Sequence, residues 1–193
     1  MAMGPALIPR YTRAEAACWL GVAPQTLDRW RRQGLMAAPL DDRRWTFLGL
    51  AEAWGVHGLR QAGWPLARLA GAVAAYRAAG GPAAALAAHA FYTTQSVEPP
   101  GRMRWGLPPH CPQRLVVPLG PRFALWIDPR MCWGRPCLHG VSVDWLIDRL
   151  GAGESPALLA EDYGLPLAAV EAVEAWRAGL RAPARGPETL TGP

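Results

Sequence analysis

Two groups of side chains in this 193-residue chain have types and spacings that could do chemistry. The first is His110, Cys111, Cys132, Cys137 and His139, thiols and imidazoles of the kind zinc accepts. Their spacing argues against a metal. No C-x-x-C pair is present, and four residues separate Cys132 from Cys137, the loose end of what metal sites use. Neither a metal nor a cofactor is expected. Cys18 falls inside an expected helix as a small core residue, and no disulfide is expected in a reducing cytosol. No catalytic set stands out either. Ser142 and Ser155 stand where helices need caps, and the adjacent acids Glu161 and Asp162 point to different helix faces. The chain is read as a binding protein rather than an enzyme.

The second group is cationic and polar: Gln25, Thr26, Arg29, Arg31, Arg32, Arg43 and Arg44. Guanidinium and amide groups are the donors that hold phosphates and read base edges. The elements that must position them read as a helix-turn-helix over Thr12–Arg32. Thr12 with Glu15 three residues on makes a capping box. Ala17 is small where two helices cross, and Gly21 can take the left-handed conformation that ends the first helix. Pro24 opens the second helix in its first turn. Leu27 and Trp30 turn inward, and Gln25, Thr26, Asp28, Arg29, Arg31 and Arg32 turn outward. Gly34 stops the helix. Such an outer face suits the major groove of DNA. Asp41–Asp42 favours a turn and Arg43–Phe47 a strand, placing Arg43 and Arg44 as a wing would.

Further helices are expected over Leu48–Gln61 and Pro65–Ala79, with Leu66, Leu69, Val73 and Tyr76 in the core. Another turn or two is expected in Pro82–Ala90. The order of helix-turn-helix, wing-like strand and two helices resembles the MerR-type regulators over roughly residues 10 to 79. The run Thr26-Leu27-Asp28-Arg29-Trp30 with Gly34-Leu35 is similar to that family's recognition helix and its exit. Thr93–Pro112 holds Pro99-Pro100 and Pro108-Pro109 without amphipathic period and reads as a linker. Leu115–Pro118 and Phe123–Ile127 suggest a small hairpin.

A second informative stretch runs from Ile127 to Trp176. Asp128, Pro129, Cys132, Gly134, Pro136, Cys137, Gly140, Gly153, Ser155, Pro156, Glu161, Asp162 and Tyr163 follow the pattern of the DUF433 family, which the stretch resembles. Arg135 stands where that family often has Lys. Val141-Ser142 replaces its Thr-Arg. Helices are expected from Ser142 to Leu150, from Ser155-Pro156 to Gly164, and from Pro166 to Leu180. Trp30, Trp145 and Trp176 fall at core-like positions, while Trp45 and Trp133 are candidates for an interface.

The fold expected is mainly α. It comprises a winged helix-turn-helix over 1–92, a linker over 93–114, a hairpin with a trihelical, homeodomain-like DUF433 unit over 115–182, and a flexible tail over 183–193. Ala160, Gly164 and Val170 repeat the spacing of Ala17, Gly21 and Leu27, so both units carry one scaffold. Their charges are opposite. Residues 1–92 hold ten arginines against five acids, and Leu138–Trp176 holds seven acids against Arg149 alone. An acidic face has no cation to exchange with a duplex. The first unit is therefore expected to bind DNA and the second a protein.

A DNA-binding unit joined to a DUF433 unit resembles the antitoxins of VapBC-type modules. The resemblance implies a PIN-domain ribonuclease toxin as partner, its neutralisation by direct binding, and repression of the module's own promoter by a homodimer. It makes Trp133, Arg135, Arg181 and Arg185 candidates for toxin contact, an arginine in the tail being able to enter a carboxylate-lined nuclease site. A stand-alone regulator without a toxin, or a protein-binding adaptor, are the alternatives. No stretch of about 18 apolar residues lacks charge, and MAMGPALIPRYTR has no signal-peptide core, so a cytoplasmic location is expected.

Overall fold

A computed structural model describes residues 5–37, 44–105, 112–119 and 122–181. Arg13–Leu20 (α1) and Pro24–Arg32 (α2) form the first helical pair. Thr12 Oγ1 accepts the Glu15 amide at 3.2 Å and Glu15 Oε2 accepts the Thr12 amide at 2.7 Å, so the capping box is complete. Gly21 ends α1 at φ 71°, a left-handed value that costs any residue with a Cβ. Pro24 opens α2, and Leu27 and Trp30 are buried.

Phe47–Gln61 (α3) is the axis of the N-terminal part. Phe47, Leu50, Ala51, Ala53, Trp54, Val56 and Leu59 are all buried, so the helix is covered on several sides. Gly55 allows the closest approach: a Cβ there would lie 2.6 Å from Tyr92 Oη and 2.9 Å from Leu86 Cβ. Leu66–Ala78 (α4) packs on α3 through Leu69 and Val73, with Leu66 and Tyr76 half-buried. A 3-10 turn at Ala85–Ala87 and the short helix His89–Thr94 (α5) close this layer.

Of the strand expected over Arg43–Phe47, Arg43 lies outside the described residues, and the described part holds an isolated bridge between Tyr11 and Trp45 before α3 begins at Phe47. Thr46 caps α3 through the Gly49 amide, so Phe47 already belongs to the helix. Trp45 is buried on that bridge and is not an interface residue.

The hairpin is one part of a larger sheet. Met103–Trp105 (β1), Pro112–Leu119 (β2), Phe123–Ile127 (β3), Cys137–Leu138 (β4) and Val141–Ser142 (β5) pair antiparallel in the order β1-β2-β3-β4-β5. The Pro-rich stretch read as a linker over 93–114 thus contains the end of α5, all of β1 and the start of β2. Leu115, Val117, Leu119, Leu125 and Ile127 put one face of the sheet in the core. The architecture is mixed, with eight α-helices and a five-stranded sheet among the described residues, so the mainly helical expectation holds broadly and the sheet is larger than the hairpin expected.

Val143–Gly151 (α6), Pro156–Tyr163 (α7) and Leu167–Arg181 (α8) complete the chain. Ser155 caps α7 through the Leu158 amide at 3.2 Å and Gly164 ends it at φ 61°. Ser142 precedes α6 without a side-chain cap. Trp145 is 53% exposed, contrary to its core-like reading. The buried stripe of α6 is Val143, Leu146 and Leu150, and Trp145 lies beside it. Trp176 is half-buried, while Val170 and Val173 are fully enclosed. One buried cluster runs from Tyr11 to Val173.

Thr12→Ala removes a cap that Glu15 completes and is expected to cost about 1 kcal/mol. Ser155→Ala, which lacks a reciprocal acid, is expected to cost less. Urea midpoints of the two variants check the order.

Candidate functional site

The outer face of α2 is held in place from below. Leu27 and Trp30 anchor it in the core, and Asp28 receives Arg13 Nη1 of α1 at 2.5 Å. Gln25, Arg29 and Arg32 are exposed and Thr26 is half-buried. Arg31 departs from the expected outer face. It stands four residues after Leu27, on the flank of the buried stripe, and borders a cavity between α2 and α3. Arg44 is exposed and its Nη1 donates to the Arg10 carbonyl at 3.2 Å. Arg43 lies outside the described residues.

A second constellation forms around the loop from Asp128 to Arg135. Asp128 is buried. Its Oδ1 accepts the Arg130 amide at 2.9 Å and Arg130 Nε at 3.1 Å, and its Oδ2 accepts Arg130 Nη2 at 3.0 Å. Arg114 Nη2 stands 3.7 Å away. Burial would raise the Asp128 carboxyl, but the Arg130 bonds outweigh it and hold the group below its ordinary value. The chain then makes a left-handed turn, with φ 45° at Cys132, 55° at Trp133 and 76° at Gly134. Non-glycine residues there store about 1–3 kcal/mol each. The turn throws Trp133 into solvent, 87% exposed.

The N-terminal segment locks this turn. Tyr11 Oη donates to the Gly134 carbonyl at 2.8 Å and Arg10 Nη1 to the Pro129 carbonyl at 3.2 Å. A Cβ at Gly134 would lie 2.8 Å from Tyr11 Oη and 2.9 Å from Arg10 Nη1, so only glycine fits. Arg135 follows and is not free for a partner. Its Nη2 reaches Glu15 Oε1 and its Nε reaches Asp144 Oδ2, both at 2.6 Å, and its guanidinium lies 5.9 Å from the Trp19 ring. Burial would raise Glu15, but the bonds from Arg135 and Thr12 prevail and lower its pKa below the usual 4.5.

The cysteines take local partners. Cys132 Sγ meets the Gly140 carbonyl at 3.4 Å and Cys137 Sγ the Trp126 carbonyl at 3.3 Å. Burial pushes the Cys137 thiol up to about 12. Among the described residues no three of His, Cys, Asp and Glu gather as a metal site, and His110 and Cys111 lie outside them.

The pair α7–α8 repeats α1–α2 in its turn geometry. Gly21 has φ 71° and ψ 34°, and Gly164 has φ 61° and ψ 34°. Ala17 and Ala160 are buried before each turn, and Leu27 and Val170 after it. The outer faces differ: Glu171 and Glu174 are exposed on α8 where α2 shows Arg29 and Arg32. Arg149 is consumed locally, by Glu154 and by Asp162 at 3.1 Å. Nothing is described of the Arg181 side chain, and Arg185 lies outside the described residues.

The sequence reading missed Arg10, Tyr11, Asp128 and Asp144 as members of one constellation. The only local signal was Glu15, whose second oxygen a capping box leaves available.

Residues 126–176 match the family model described as a protein of unknown function, DUF433, which bears out the resemblance read over Ile127–Trp176. No curated protein matches the chain. A crystal structure of Rv2018 from Mycobacterium tuberculosis shares the fold. It has a TM-score of 0.70 and 22% identity, and the match covers 86% of this chain and 98% of that one. The shared fold therefore extends well beyond the DUF433 segment.

Removing the guanidinium by Arg135→Met is expected to cost about 2 kcal/mol, the scale of hydrogen bonds to charged groups. The sign of its pH dependence follows from Glu15. A carboxyl with a lowered folded pKa contributes stability above its unfolded value and loses it as the pH falls through the folded one. The gap between parent and variant should therefore be full above the ordinary carboxylate value of 4.5 and narrow as the pH falls below it in urea titrations. An unchanged gap would show that Glu15 is not the partner that matters.

Proposed function

We propose that this protein is an antitoxin-like repressor: α2 binds operator DNA, and the DUF433 segment engages a PIN-domain ribonuclease and neutralises it. The observation that carries the reading is the pairing of two like helix-turn-helix geometries with opposite outer faces. Arg29 and Arg32 stand in solvent on α2, and Glu171 and Glu174 on α8. A duplex rewards only the cationic face, by release of counterions. The α2 helix is the recognition helix in this reading, in the MerR manner, and a homodimer would span paired half-sites.

The protein-binding half of the proposal draws on exposure. Trp126, Trp133, Trp145, Leu158 and Leu167, in the second half of the chain, are exposed large apolar side chains, as are Leu7 and Ile8 near its start. Large exposed apolar groups suit a protein surface, with tryptophan among the residues most often dominant in such contacts. Trp133 is the centre of the proposed contact. Arg135 is set aside, because Glu15 and Asp144 already hold it.

The test uses the full chain, since Arg135 ties its two ends together. In fluorescence anisotropy with duplex DNA from its own promoter, Arg29→Ala with Arg32→Ala is expected to abolish binding near physiological salt. At low salt the residual slope of log K against log salt should be shallower by roughly 1.8, two phosphates at about 0.9 each. An unaltered slope would remove α2 from the interface. In co-expression capture with a PIN-domain protein encoded alongside, Trp133→Ala is expected to weaken the complex by about 2 kcal/mol, roughly thirtyfold, and to leave DNA binding unchanged. Failure of the parent chain to retain any such nuclease would leave only the repressor half of the proposal.

A further inference from the structure

The sheet turns one face to the core and the other outward, and the arginines of the outward face have no part in the contacts above. Leu115, Val117, Leu125 and Ile127 are buried, so their strand neighbours Arg114, Val116, Ala124 and Trp126 point the other way. Arg104 of β1 stands opposite Arg114, and Val116 stands opposite Trp126. The Val116 amide donates to the Arg102 carbonyl at 2.7 Å, which extends the β1–β2 ladder by one residue and puts Arg102 on the same face. The register shifts between Arg104 and Trp105, so these neighbours both border one open depression of about 400 Å³, together with Gln113, Arg114 and Trp126.

This face is cationic. From Thr93 to Arg135 the chain holds six arginines against Glu98 and Asp128. Asp128 is buried and already answered by Arg130 at 3.0 Å and Arg114 at 3.7 Å. Arg102 and Arg104 are exposed. Arg104 Nη1 donates to the Gly101 carbonyl at 2.6 Å, a bond that uses one of the five N–H donors of a guanidinium.

The face is also aromatic. The Arg114 guanidinium lies 4.6 Å from the centre of the Trp126 ring, and Trp126 is 41% exposed. Trp105 is half-buried and meets His89 edge to face at 5.1 Å. Cations interleaved with flat rings match a polyanion whose bases are free: phosphates meet guanidinium groups, and a base stacks on an indole or guanidinium plane. A duplex keeps its base faces inside the stack and has no use for the rings. An acidic peptide would use the charge alone.

We propose that the outward face of the sheet binds single-stranded nucleic acid, with a base stacked on the Arg114–Trp126 pair and phosphates held by Arg102 and Arg104. The site is independent of the roles given to α2 and Trp133.

Fluorescein-labelled oligothymidylate of about ten nucleotides is the probe, in anisotropy titrations of the full chain, where saturable binding is expected. Trp126→Ala should weaken it about tenfold, the scale of one stacked base, and leave duplex binding unchanged. An abasic strand of equal length should bind the parent about tenfold more weakly than oligothymidylate. Arg102→Gln with Arg104→Gln keeps the aromatic pair and should make the slope of log K against log salt shallower by roughly 1.4, two phosphates at about 0.7 each. Should Trp126→Ala lose its circular dichroism, the arginine pair and the abasic strand carry the test. Arg29→Ala with Arg32→Ala on α2 should leave oligothymidylate affinity unchanged, so this site and the duplex site fail separately. No saturable binding, equal affinity for the abasic strand, an unaltered salt slope, or binding that the α2 substitutions abolish would each overturn the proposal. Capture of anionic lipid vesicles or of an acidic peptide in place of oligothymidylate would give the face to another occupant and overturn it too.

Discussion

One guanidinium joins the start of the first helix to the start of α6. Arg135 reaches Glu15 at the start of α1 and Asp144 in the first turn of α6. The planar fork of arginine allows this, since Nε and Nη2 point to different acids along fixed directions. An ammonium on a flexible stem would have no such fixed pair of bonds. Glu15 has two tasks: Oε2 completes the capping box of α1 while Oε1 takes the arginine. The helix start that orients α2 is thereby fixed to the DUF433 segment, 120 positions further along. Tyr11 and Arg10 add neutral and charge-assisted bonds to the same loop.

This coupling gives the charge pattern its meaning. Two helix-turn-helix units on independent domains could turn any face toward one another. Here the N-terminal helices, the sheet and the last three helices share one buried cluster, so the cationic face of α2 and the acidic face of α8 belong to one body. One ion pair, Arg135 with Glu15, crosses that body. Arg149 answers Glu154 and Asp162 within its own half, and Arg13 answers Asp28 within the other. Arg29 and Arg32 remain at the surface.

What the sequence disclosed was local. The Thr12–Glu15 box, Pro24 and the glycine stops at 21 and 164 rest on bonds between residues three to five apart, and all of them form. The DUF433 pattern was legible because its residues are contiguous. What stayed hidden was long-range. Arg135 reads as a free cation until Glu15 is brought to it. Strands of two residues, such as β4 and β5, leave no period to detect, and β1 lies among prolines that read as a linker. The wing failed for a local reason that outranked strand propensity: Thr46 is a good cap, and α3 claims Phe47. Trp145 and Arg31 were assigned by periodicity, and each lies one step off the stripe that counts.

The placement of Trp133 follows from the same coupling. Two consecutive non-glycine residues in the left-handed region are unfavourable in a free loop, which would relax out of that region. Relaxation is blocked at both ends. Asp128 holds the entrance through Arg130, and Tyr11 and Arg135 hold the exit. The strain is thus borne by contacts that also fix the N-terminal helices. A protruding indole on a fixed backbone adds little backbone ordering cost on contact, a condition that lets one side chain weigh heavily in an interface. In the proposed reading, the loop that contacts the start of α1, and so the DNA-facing helix pair, also presents the partner-facing tryptophan.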